Sequence, residues 1–179
     1  MSKTPFQEVK SETSLIEKIA MLVPGYRGYK EKELRRESDR LVRMEAVNRL
    51  KTAKTAFRRT FANPSAVQKL SGDDAYKFDA LNSRLDRVTQ RIDRAVAGYA
   101  GMFDAVKVKE DKLDSVIQHD VSLIEKAEAV KADVEKVASI EPGTDEWRTA
   151  MDALISKVEE LDRLGDERSS LLRGLGGEV

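Results

Sequence analysis

Between Phe78 and Tyr99 the apolar side chains Phe78, Leu81, Leu85, Val88, Ile92, Ala95 and Tyr99 follow one another at steps of 3, 4, 3, 4, 3 and 4 residues. Side chains so spaced line one narrow face of an α-helix and cannot alternate across a strand, so this stretch needs a partner helix along its length. A second seam of the same kind runs Trp147, Met151, Leu154, Val158, Leu161. Two more amphipathic stretches complete the set. One spans Tyr29 to about Phe61 without Gly or Pro and carries Leu34, Leu41, Val42, Val47, Leu50, Ala53, Phe57 and Phe61. The other starts at Glu110 and carries Leu113, Val116, Ile117, Leu123, Ile124, Ala127, Val130, Val134 and Val137.

The breakers fall between these stretches. A short first helix over Ser14–Val23, with Leu15, Ile16, Ile19, Leu22 and Val23 on one face, ends at Pro24-Gly25. Asn63-Pro64-Ser65 opens a connector with a single turn expected over Ala66–Leu70, and Ser71-Gly72-Asp73-Asp74 leads into the next helix with acids where the helix dipole favours them. Gly98-Tyr99-Ala100-Gly101 stops that helix, and Ala105–Lys109 alternates as an extended link would. Ile140-Glu141-Pro142-Gly143 separates the last two helices. Thr144 caps the final one, which is expected to pass Gly165 and reach about Arg173. The expected fold is all-α: an antiparallel up-down-up-down four-helix bundle of long helices plus the short N-terminal helix. Residues 1–13 are read as a flexible N-terminus, 14–173 as one bundle domain and 174–179 as a flexible C-terminus. The alternative is a pair of long hairpins that close only in a homodimer.

Composition narrows the chemistry. The chain has no Cys and one His, so thiolate catalysis, Cys-ligated metals and multi-His sites within one chain are excluded. His119 is not part of a Glu-x-x-His pair, because position 116 is Val116, and the adjacent Asp120 points about 100° away on a helix. His119 therefore reads as a surface or interface residue. Asp104 is the acid expected to be partly buried. No catalytic residue, metal ligand or cofactor is assigned. The 32 Lys+Arg balance 32 Asp+Glu, but unevenly: Pro24–Phe61 holds 12 basic against 5 acidic residues, and Asp104–Val179 holds 11 against 19. The basic helix is expected to lie beside the acidic ones, each exposed pair contributing only ~0–1 kcal/mol, and nucleic acid is not an expected partner because few aromatics interleave with the cations. Met1–Ser14 carries Lys3, Glu8, Lys10 and Glu12 without an apolar core, and the run Ile19–Val23 is far below the ~20 residues of a membrane span, so a cytoplasmic location is expected.

Two Gly-Tyr turns stand out: Pro24-Gly-Tyr-Arg-Gly-Tyr-Lys-Glu-Lys-Glu33 and Gly98-Tyr-Ala-Gly-Met-Phe-Asp-Ala-Val106. An alternating bundle brings the start of the second helix, near Tyr29, and the end of the third, near Tyr99, to one pole, where both turns would meet. Tyr26, Arg27, Tyr29, Lys30, Arg35, Arg36, Tyr99 and Asp104 are the candidate partner-binding residues. The competing reading makes both turns simple helix stops, with Tyr26, Tyr29 and Tyr99 plugging the end of the bundle.

The same two stretches resemble signatures of a small family of uncharacterised prokaryotic helical proteins. The resemblance covers these motifs and the helical layout. It implies a prokaryotic cytosolic protein and carries no activity or site. The function expected from the residues is that of a non-enzymatic bundle working through contacts with a protein partner or a second copy. The alternative is a peripheral adaptor on an anionic membrane, inserting the Leu15, Ile16, Ile19, Leu22, Val23 face beside Arg27, Lys30 and Lys32.

Overall fold

The computed structural model describes the backbone of residues 15–26, 32–94 and 110–174, and side chains over 15–26, 37–94 and 115–167. The fold is all-α, with no strand among the described residues: α1 (15–22), α2 (Lys32–Thr60), α3 (Pro64–Val67), α4 (Gly72–Arg94), α5 (Glu110–Ser139) and α6 (Asp145–Gly174). The expected segments 1–13 and 175–179, the Gly98–Gly101 turn and the 105–109 link lie outside the described residues. Gly174, expected in the tail, is the last residue of α6.

Local chemistry sets the boundaries. Gly25 (φ +83°) takes the left-handed conformation that ends the first helical segment. The single turn after α2 starts two residues earlier than expected. Asn63 Oδ1 accepts from Ser65 N at 3.0 Å and Pro64 occupies the first turn, so the proline begins a helix instead of breaking one. Ser71 and Asp74 form a reciprocal capping box: Asp74 N donates to Ser71 Oγ at 3.2 Å, and Asp74 Oδ2 accepts from Ser71 N at 3.1 Å. Thr144 Oγ1 accepts from Trp147 N at 3.2 Å, making Thr144 the cap of α6.

The seams meet in one core. Val42, Ala46, Leu50, Ala53 and Phe57 of α2 pack with Leu81, Leu85, Val88 and Ile92 of α4, Leu123, Ile124, Ala127, Val130 and Val134 of α5, and Trp147, Met151, Leu154, Val158 and Leu161 of α6. Each side chain removed from water contributes roughly 1.5–3 kcal/mol. The two hairpins thus close on each other within one chain.

Polar contacts between helices fix direction. Arg43 Nη1 donates to the Asp93 carbonyl at 3.2 Å, Lys54 pairs with Asp86, and Arg58 Nε donates to Asn82 Oδ1 at 2.9 Å, so α2 and α4 are antiparallel. Lys126–Glu160 and Lys157–Asp133 set α5 antiparallel to α6. Across α4 and α6, by contrast, Lys77–Asp152, Arg84–Glu159 and Arg91–Asp166 keep one constant offset, each rung one heptad beyond the last. Those two helices are parallel, and so are α2 and α5, joined by Arg49–Glu128 at 3.2 Å. Directions alternate along the chain as expected, yet only two of the four neighbouring interfaces are antiparallel. Each long helix packs mainly on two others, leaving the consecutive helices α4 and α5 at opposite corners.

α1 packs over α2 and α5. Ile19 and Val23 are buried, Leu15, Ile16 and Leu22 are half-buried against the core, Lys18 pairs with Glu125 at 2.7 Å, and Arg49 Nη2 donates to the Leu22 carbonyl at 3.1 Å. The face that a membrane adaptor would insert is therefore engaged in the core. No helix of the described residues is long and apolar enough to cross a membrane.

Candidate functional site

The two ends of the bundle differ. At one end α2 finishes and α4 and α6 begin. Phe57 and Phe78 stack at 4.8 Å between ring centroids, Phe61 lies 4.3 Å from Phe78, and Trp147 meets Phe61 edge-on at 5.9 Å. Lys69 bonds Glu141 at 2.7 Å, and Gly143 presses on the Lys69 carbonyl so closely that a Cβ there would lie 2.4 Å from the oxygen. Arg148 closes on Asp74 nearby. This end joins the two hairpins through these contacts.

The opposite end, where α2 starts and α4 finishes, holds the candidate site. Arg43, reaching from Asp39 to the Asp93 carbonyl, marks it. Next to it, α4 and α6 flank a cleft of about 690 Å³. Val88, Ile92, Leu123 and Leu161 form its apolar wall. Arg87 and Arg91 on one lip face Asp162 and Asp166 on the other. Arg94, the last residue of α4, also lines the cleft.

The expected site residues distribute unevenly. Tyr26 is 6 % exposed and packs in the core. Arg35 and Arg36 lie in the first turns of α2, which places them on the cleft end. Arg27, Tyr29, Lys30, Tyr99 and Asp104 lie outside the described residues. His119, expected at the surface or an interface, is 8 % exposed, on a stretch of α5 that is buried at most positions between Val116 and Ile124.

The buried acids among the described residues are Asp39, Asp74 and Asp120. Sequence reasoning missed the burial of all three, although a signal was present. Asp120 stands in phase in the series Leu113, Val116, Asp120, Leu123, Ala127, Val130, and Asp74 extends the seam of Phe78, Leu81, Leu85 backward by four. Asp39 likewise precedes Val42 and Ala46 in phase. A carboxylate at a seam position has to be buried with a partner or it destabilises the helix pair. Arg43 Nε serves Asp39 at 3.0 Å, and Arg148 serves Asp74.

Charge pairing also differs from the sequence expectation. The basic α2 takes Glu128 of α5 through Arg49, but Lys54 and Arg58 go to Asp86 of α4, and the acids of α6 are taken largely by α4. Arg40, Lys51 and Arg59 carry no ion pair among the described residues. No group of His, Asp and Glu among the described residues is arranged to hold a metal ion.

Comparison with family models, with curated proteins and with solved structures finds no match for this chain.

Proposed function

We propose that this chain is a non-enzymatic helical-bundle module that works through protein–protein contact, with the end of the bundle where α2 begins and α4 finishes as its contact region. The observation that carries the reading is the mixed-charge cleft between α4 and α6 on that half of the molecule, set against the tightly joined opposite end. A rim that presents arginines on one lip and carboxylates on the other, around apolar side chains, suits a polypeptide surface carrying both signs; Arg is enriched in such interfaces. The α1 face supports no membrane contact, since its apolar residues are engaged in the core.

Site-directed photo-crosslinking tests the proposal. A benzophenone amino acid at Arg94 is expected to trap a discrete protein adduct in native lysate. The same group at Tyr76, exposed on the first turns of α4 at the clasped end, is expected to trap none. Equal labelling from both positions, or none from either, rejects the assignment.

A further inference from the structure

α2 and α6 stand at opposite corners of the bundle, each packing mainly on α4 and α5, and they carry opposite charge. α2 holds ten Lys and Arg against four Asp and Glu, a net +6, and α6 holds eight acids against five cations, a net −3. The whole chain balances at zero, so two copies meet without overall repulsion. Each copy presents a cationic corner on one side and an anionic corner on the other.

Packing inside the chain leaves part of both corners unneutralised. On the outer face of α2, Arg40, Lys51 and Arg59 are exposed and carry no ion pair among the described residues; Glu37 is the exposed acid of that helix among them. On α6, Glu146 and Glu167 are exposed and likewise carry no ion pair among the described residues, with Arg163 as the exposed cation nearby. At 1.5 Å per residue, Arg40 and Arg59 are about 28 Å apart along α2, and Glu146 and Glu167 about 32 Å apart along α6, so the two spans agree to within one turn. Between these charges lie side chains whose donors are already used. Thr52 and Thr55 donate to the carbonyls of Asn48 and Lys51, and Thr149 and Ser156 donate to those of Asp145 and Asp152. Covering them strands no donor, and Met44, 43 % exposed, adds an apolar contact.

We infer that a second copy of this chain docks its α6 on the outer face of α2, with Arg40 toward Glu167 and Arg59 toward Glu146. Within one chain α2 is antiparallel to α4, which is parallel to α6, so α2 and α6 run in opposite directions. A second copy in the same orientation as the first therefore presents its α6 antiparallel to α2, with the helix dipoles opposed as well as the side chains. Because the two faces differ, each copy that docks leaves one face of either kind free, and association proceeds head to tail instead of stopping at a pair. Exposed ion pairs are individually weak and screened by salt, so the contact is reversible and salt-sensitive. It uses the outer sides of α2 and α6 and does not rest on the protein-contact reading of the cleft.

Sedimentation velocity of the full chain tests this. In about 0.01 M salt the sedimentation coefficient is expected to rise with protein concentration, and in about 1 M salt to be independent of it. Lys51→Glu with Arg59→Glu reverses the α2 face; Glu146→Lys with Glu167→Lys reverses the α6 face. None of these four side chains has an ion pair to lose among the described residues, so both variants should melt like the native chain. Each variant alone is expected to sediment as a monomer at every concentration. An equimolar mixture of the two should associate again, since the reversed α2 of one then faces the reversed α6 of the other. A native chain that sediments independently of concentration in low salt overturns the inference. So does association that persists in either variant alone, or a mixture that stays monomeric.

Discussion

Arg148 grips Asp74 through two parallel hydrogen bonds, Nε to Oδ1 at 2.8 Å and Nη2 to Oδ2 at 2.9 Å. The pair ties the first turn of α6 to the first turn of α4. Because these helices are parallel, both present the positive ends of their dipoles at the same place, and the buried carboxylate between them offsets both. Asp74 also accepts from Ser71 N and, at 2.8 Å, from Ser71 Oγ, so its acceptor capacity is well used. Asp74→Asn keeps the shape and removes the charge. It is expected to lower stability by about 1.5–3 kcal/mol in urea titrations at neutral pH, the range for hydrogen bonds to charged groups. Asp152→Asn, which breaks an exposed pair with Lys77, should cost under about 1 kcal/mol. Equal losses from the two substitutions would deny Asp74 its special place.

The same pair sets an acid limit. The Arg148 bonds hold the Asp74 carboxyl well below its ordinary 3.8, with Ser71 helping and burial opposing. A folded-state value below the unfolded one means the unfolded chain takes up the proton first as pH falls. The stabilisation is therefore fully present above about 3.8 and drains away as pH drops toward the folded value. Glu141, held down by Lys69, and Glu160, held down by Lys126, act in the same direction from 4.5. The stability gap between the native chain and Asp74→Asn should stay level from neutral pH to about 5 and narrow below about 4. A gap that stays level down to pH 2 contradicts the ionic origin of the effect.

Gly143 is the other fixed point of the clasped end. Its φ of +83° lies in the left-handed region, and a Cβ would lie 2.4 Å from the Lys69 carbonyl oxygen, a backbone atom that cannot swing aside. Gly143→Ala should cost roughly 1–3 kcal/mol in thermal or urea melts. Gly72→Ala, whose Cβ would meet nothing within 4 Å, serves as the comparison and should leave stability nearly unchanged.

How much of this was legible beforehand follows from what each signal measures. Periodicity reports which face of a helix is apolar, so Leu81, Leu85, Val88 and Ile92 and the Trp147 to Leu161 seam were readable as core, and Thr144 was readable as a cap. Periodicity does not report which helix lies opposite. The parallel pairing of α4 with α6 is encoded outside the seams, in the cations Lys77, Arg84 and Arg91 and the acids Asp152, Glu159 and Asp166, which match only when the two helices are set side by side. The same limit applied to the cleft. Arg87, Arg91, Asp162 and Asp166 look like ordinary solvated charge on their own helices, whereas the Gly-Tyr turns are conspicuous by composition alone, and Tyr26 of the first is a core residue. His119 stands alone as an imidazole in the sequence, and nothing local to it reports its burial, which tertiary packing sets.

The ladder between α4 and α6 gives a direct test of that register. Arg84 meets Glu159 at 2.6 Å with both side chains partly exposed. Arg84→Glu and Glu159→Arg should each destabilise, through repulsion with the partner left behind, and the double exchange should recover most of the loss. The coupling measured by the double-mutant cycle should be below about 1 kcal/mol, as for other exposed pairs, and should shrink in high salt. If the double exchange recovers nothing, the two helices are not in the register described.

Trp147 supplies the last prediction, and it runs against the usual rule for large core side chains. The indole is fully buried, meets Phe61 edge-on at 5.9 Å, and its Nε1 has no hydrogen-bond acceptor among the described residues. A buried donor without a partner costs on the order of 1–3 kcal/mol. Trp147→Phe removes that liability while keeping an aromatic ring in the cluster with Phe57, Phe61 and Phe78. The remaining void costs about 1 kcal/mol at ~24 cal/mol per Å³. The two effects are close in size and opposite in sign. Trp147→Phe should therefore lie within about 1 kcal/mol of the native chain by circular-dichroism melts, since the substitution removes the chain's one tryptophan as a fluorophore. Trp147→Ala, which keeps no ring, should cost about 3–5 kcal/mol. A Phe variant as damaged as the Ala variant would mean that the indole nitrogen is satisfied in solution and that shape alone determines this position.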